Sequence, residues 1–159
     1  MEVDTPPIHL DTSVVVRYLT DDLPEMVARA ALLIDSRTAL AISDLVLVES
    51  AYVVTGVYGI DRSEVAEALA ALVLRSNVEC PHFSVALVVR ALQLAGKSGR
   101  VSFADALIWA EARQTEAPVA IGATLRIRAL VADTLGTSSP YPVLTPGTIL
   151  IWQPMRAPR

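Results

Sequence analysis

Three carboxylates stand where carboxylates are out of place. Glu49 sits in Leu45-Val46-Leu47-Val48-Glu49-Ser50-Ala51-Tyr52-Val53-Val54. A helix of that composition is apolar nearly all round and is expected to be buried. An ionised side chain within it then needs a partner charge or a bound cation. No Arg or Lys lies within one turn of Glu49, so the bland alternative, an ion pair with a buried Arg or contact with a helix end, is the weaker reading. Asp105 repeats the pattern in Ser102-Phe103-Ala104-Asp105-Ala106-Leu107-Ile108. Here the alternative is stronger, because Ser102 and Asp105 have capping-box spacing and an acid in a first helical turn is ordinary. Asp11 follows the apolar run Ile8-His9-Leu10 and could cap the next helix, as could Thr12 or Ser13. Taken together, three such acids offer hard oxygen donors of the kind that suit Mg²⁺ or Mn²⁺.

Other chemistries find less support. A single cysteine, Cys80, excludes an internal disulfide and a zinc site built on several thiolates. His9 falls inside a strand and His82 near a helix start, and both are read as structural or exposed. There is no glycine-rich phosphate loop. A receiver domain also carries an Asp at a strand end, but it needs a Lys after its last strand. The one lysine here, Lys97, precedes the fourth.

The elements that must position the acids follow from periodicity and caps. Ile8 to Leu10 reads as a buried strand ending at Asp11, and Val14 to Leu19 as a helix. Pro24 opens a second helix to Ile34. Ala39 to Ser43 is a strand, Asp44 an N-cap, and the helix carrying Glu49 runs to about Val57. Asp61 to Glu64 opens a helix to about Arg75. Val78 to Cys80 is a strand, His82 to Ala95 a helix, and Ser102 caps a helix to about Thr115. Pro118 to Ile121 is a strand, Leu125 to Leu135 a helix, and Val143 to Thr145 a last strand. Strands alternating with helices indicate an α/β fold: a three-layer α/β/α sandwich with a mainly parallel central sheet. Residues 1–146 form one domain and 147–159 a C-terminal tail. In such sheets, sites form beyond the carboxyl ends of the strands, where Asp11 lies.

Composition bounds the function. The chain has 159 residues, 53% hydrophobic and 19% charged, with net charge −4. That is enough for one domain with a sizeable core and is far from disorder. The acidic balance argues against a pure nucleic-acid-binding module, but less against a nuclease whose carboxylates gather cations. The excess of apolar over charged residues, concentrated in Met26 to Ile34 and Val65 to Leu74, predicts a covered surface, hence a homodimer and a further protein partner. No apolar run reaches the length of a membrane span, and the first residues lack a signal peptide's basic start, so the expected location is cytoplasmic.

At these residues the chain resembles the PIN-domain ribonucleases, and among them the VapC toxins of toxin–antitoxin pairs. His9-Leu10-Asp11-Thr12-Ser13-Val14 looks like the first motif of that family and Ile42 to Glu49 like the second. Phe103 to Ile108 is similar to the third, and Tyr141 to Pro146 to the closing strand. The resemblance covers roughly residues 8 to 146. It implies a metal-dependent endoribonuclease acting on single-stranded or structured RNA, with Mg²⁺ or Mn²⁺ as cofactor and an antitoxin as partner. It implies Asp11 and Asp105 as direct metal ligands and catalytic residues. Glu49 would be a third catalytic carboxylate, direct or through water, and Ser13 would orient Asp11. The family often has a fourth acid after the fourth strand. Here that position falls on Thr124, or on Ala123 in the other register. Two alternatives stand beside this reading: a catalytically weak PIN-like module that binds RNA or protein, and a DNA-directed or structure-specific nuclease on the same fold.

Overall fold

A computed structural model describes residues 5–116, 119–121 and 150–152. The order is β1 (Ile8–His9), α1 (Thr12–Leu19), α2 (Pro24–Ile34), β2 (Leu40–Ala41), α3 (Asp44–Gly56), α4 (Arg62–Val73), β3 (Val78–Glu79), α5 (Val85–Lys97), α6 (Phe103–Gln114), β4 (Val119–Ile121) and β5 (Leu150–Trp152). The first three strands form a parallel sheet in the order β1-β2-β3, with Ile8 opposite Leu40 and Leu40 opposite Val78. The α/β sandwich is therefore as the alternation of elements predicts. Its middle strand is apolar and fully buried, since Leu40, Ala41 and the following Ile42 are all 0% exposed. A central parallel strand is covered on both faces, and continuous apolar sequence is what that requires.

The helices supply most of the core. α1 packs on α2 and α3, α4 on α3 and α5, and α5 on α6. The α4–α5 contact is close because position 96 is glycine: a Cβ there would stand 2.6 Å from the Cβ of Ala66. Val65, Leu69, Leu72 and Val73 of α4 are buried, so the stretch Val65 to Leu74 is core rather than the uncovered surface expected from its apolar content. Of its large apolar side chains only Leu74, at its end, is exposed. Met26 and Leu32 of α2 do remain exposed, as do Leu45, Tyr52 and Val57 around α3.

Several boundaries move for identifiable reasons. α1 begins at Thr12, two residues early, because Asp11 caps it. Ser43, not Asp44, caps α3, its hydroxyl accepting from the Val46 amide at 3.3 Å. α5 starts at Val85 with Ser84 as cap, three residues beyond the expected start at His82. Within the segment expected to be a tail, Leu150–Trp152 forms a strand antiparallel to β4, with Ile121 opposite Leu150. The helix expected at Leu125 to Leu135 and the strand at Val143 to Thr145 lie outside the described residues.

Candidate active site

β1 delivers Asp11 to the carboxyl edge of the sheet. Leu10, buried, anchors the strand's end, and the Asp11 backbone is still extended (φ −91°, ψ 154°). Its carbonyl begins the helix, accepting from the amides of Val14 and Val15 at 3.1 and 3.2 Å. Its Oδ2 accepts from the Ser13 hydroxyl at 2.5 Å and the Ser13 amide at 3.2 Å. The Ser13 hydroxyl, followed by the Ser13 amide, holds the Asp11 carboxyl below the usual range, because each donates to the ionised form. Asp11 is thus both a helix cap and an exposed anion. The same turn recurs at Asp61, whose Oδ1 accepts from the amide and hydroxyl of Ser63. An Asp-x-Ser turn is ordinary capping chemistry, so it is the surroundings of Asp11 that set it apart.

Those surroundings include Glu49. The Thr12 hydroxyl donates to Glu49 Oε2 at 2.6 Å, tying α3 to the residue that follows Asp11. Thr12 is a residue that sequence reasoning considered only as a cap, and its signal was adjacency to Asp11. Glu49 itself is exposed, which corrects the expectation that its helix is buried all round. α1, α4 and α6 cover the other sides of α3 and leave one stripe open. That stripe holds Leu45, Glu49 and Tyr52, spaced four and three residues apart, with Leu45 70% and Tyr52 73% exposed. Desolvation therefore does not demand a partner for Glu49. Instead its carboxylate is accessible to solutes.

Asp105 lies in the first turn of α6, where its amide donates to the Ser102 hydroxyl at 2.9 Å. The capping alternative is thus partly what forms, and the carboxylate is exposed. α6 packs on α3, but among the described residues no hydrogen bond joins Asp105 to Asp11 or Glu49. Thr124 and Ala123 lie outside the described residues. At the same edge, after β2 and β3, Asp44 Oδ1 meets His82 Nδ1 at 3.0 Å, both groups exposed. Gln114 fixes the loop beside that pair, donating to the His82 carbonyl at 2.7 Å and accepting from the Ser84 amide at 2.6 Å.

The donor set is one of hard oxygens. Burial, and then the charge of Glu79, push the Cys80 thiol up to about 11, so it offers no thiolate near neutrality. Among the described residues no three Asp, Glu, His or Cys side chains converge closely enough to hold an ion by themselves. Mg²⁺ keeps several waters and is commonly held by one or two carboxylates plus substrate phosphate rather than by an all-protein cage. The chemistry of Asp11, Glu49 and Asp105 fits such an ion.

Among the described residues no helix is long and apolar enough to cross a membrane. No curated protein and no solved structure matches the chain. A comparison with protein families matches residues 8–122 to the PIN domain. That stretch contains the three-strand sheet, the six helices of the described residues, and Asp11, Glu49 and Asp105. PIN domains are generally nucleases, act on nucleic acid and typically use divalent metals. With most of its length matched, the chain belongs to the PIN domain family.

Proposed function

We propose that the chain is a metal-dependent endoribonuclease and the toxin of a toxin–antitoxin pair of the VapC type. The observation that carries the reading is the Thr12–Glu49 hydrogen bond, which brings a second acid to the helix start capped by Asp11, at the sheet edge where α/β folds bind ligands. Asp11 and Asp105 would hold Mg²⁺ or Mn²⁺ directly, Glu49 directly or through water, with Thr124 as a neutral stand-in for the family's frequent fourth acid. The ion, when bound, supplies an activated water and stabilises charge developing at the phosphodiester. The protein's own contribution is placement. Ser13 donates to Asp11 Oδ2 and fixes it, and Thr12 orients Glu49. The exposure of all three acids leaves a phosphate free to approach. RNA is the substrate class, an antitoxin the protein partner and the cytoplasm the compartment. The exposed Met26 and Leu32 of α2 support a homodimer, which light scattering showing a clean monomer at high concentration would exclude.

The test is cleavage of single-stranded RNA. Activity should vanish with EDTA, return with Mg²⁺ or Mn²⁺, and be abolished by Glu49→Gln and Asp105→Asn. A second reading, a module that binds RNA or protein with weak catalysis, gains from the same exposure, since solvated acids cost little to keep idle. Retained RNA binding with no metal-dependent cleavage by the parent protein would decide for it.

A further inference from the structure

Arg62, the first residue of α4, ties three helices together. Its Nε donates to the Ala95 carbonyl in the last turn of α5 at 2.6 Å. Its Nη2 donates to the Val101 carbonyl. The guanidinium carbon lies 4.6 Å from the centre of the Phe103 ring. Val101 directly precedes Ser102, the cap that receives the Asp105 amide, and Phe103 is the first residue of α6. The guanidinium therefore grips the chain on both sides of that cap. Its reach depends on Gly96: α4 and α5 approach so closely that any larger side chain there would collide with Ala66. The chain arriving at Val101 is a short loop from Ser98, held locally by the Ser98 hydroxyl and carbonyl.

We infer that Arg62 is a positioning residue for Asp105: it fixes where α6 begins and so where that carboxylate stands. The inference rests on the nuclease reading for what Asp105 does. A planar fork serves two carbonyls while stacking on a ring, which an ammonium group cannot do, so lysine is a poor substitute. Nothing about Arg62 requires contact with substrate.

The experiment uses the full chain and three readouts: hydrogen exchange at the Asp105 and Ala106 amides, melting temperature, and kcat and KM on single-stranded RNA. Arg62→Met should speed exchange at those two amides by about tenfold or more. It should also lower kcat on the order of 10- to 100-fold with KM within about twofold, as expected for a misplaced rather than missing group. Arg62→Lys should fall between it and the parent. Gly96→Ala keeps the arginine but pushes α4 off α5, and should move the same amides and kcat in the same direction. It also serves if Arg62→Met does not fold. Asn77→Ala is the control for stability alone. Asn77 Nδ2 bonds the carbonyls of Ile34, Ser36 and Thr38 at 3.1, 3.0 and 3.2 Å at the amino edge of the sheet. Its loss should lower the melting temperature without changing α6 exchange or kcat. Parent-like kcat in Arg62→Met, or an equal kcat loss in Asn77→Ala at matched stability, overturns the inference while leaving the nuclease reading intact. Parent-like cleavage by Asp105→Asn overturns the role of Asp105 and the inference with it.

Discussion

Replacing Asp11 separates its two jobs. As an N-cap it satisfies the Ser13 amide, one of the four amides an α-helix leaves unpaired at its start, and it also holds the Ser13 hydroxyl. Alanine removes the acceptor of both bonds. Asparagine keeps an acceptor at the same place and caps about as well as aspartate, losing only the attraction between the charge and the helix end. For a chain of 159 residues, loss of a typical cap lowers the melting temperature by about 2–4 °C. Asp11→Ala should fall by roughly that much and Asp11→Asn by less than half of it. Both variants should be inactive on RNA, because neither offers an anion at the strand end. Differential scanning fluorimetry and a fluorogenic RNA assay read the two effects independently. Asp11→Asn melting below Asp11→Ala would refute the capping argument, and Asp11→Asn cutting at the parent rate would refute the catalytic one.

Three further outcomes are expected. Ser13→Ala should move the Asp11 titration, followed by carboxyl carbon NMR, back up toward the ordinary carboxylate range, since its main depressing bond is gone. A depressed carboxylate contributes stability that is present above its ordinary value and lost as pH falls through its folded value. In Ser13→Ala that contribution should therefore shrink, and an unmoved titration would be fatal to the assignment. Cys80, with its thiol pushed up to about 11, should react with iodoacetamide at pH 8 far more slowly than a free thiol, which carries roughly 200-fold more thiolate; labelling of the native protein at the free-thiol rate would contradict this. In a metal titration of cleavage, Thr124→Asp should raise activity at limiting Mg²⁺. A gain from Ala123→Asp alone would show that the other register is the right one, and no gain from either would leave the segment without a counterpart of the fourth acid.

What was legible in the sequence depended on whether a signal was local. Helix starts are local, so Asp61, Ser102 and Pro24 mark α4, α6 and α2 with little error. The alternation of strands and helices is local too, and the parallel sheet follows from it. Burial is not local. Glu49 was expected inside because every neighbour in sequence is apolar, yet α3 has neighbours on only some sides and presents Glu49 on the uncovered one. Conversely, the apolar content of α4 suggests surplus surface, yet α4 is core, because α5 lies against it through Gly96. The hydrogen bond from Thr12 to Glu49 spans 37 residues and leaves no trace in spacing. Arg62 was invisible for the same reason, its partners being carbonyls in α5 and before α6 that any sequence would supply.

The thinness of the sheet bears on how the chain assembles. Each strand contributes two residues to it, and the pairings join positions 32 apart (Ile8 with Leu40) and 38 apart (Leu40 with Val78). Closing such loops costs entropy before a short ladder can offset it, whereas α4 and α5 meet across a connection of about a dozen residues. Helical pairs are therefore expected to form early and the strand edge to close late. The Thr12–Glu49 bond spans that edge, so it belongs to the last stage of folding. Weakening it should speed unfolding and leave the folding rate nearly unchanged, which makes Thr12→Val a kinetic probe of when the candidate site comes together.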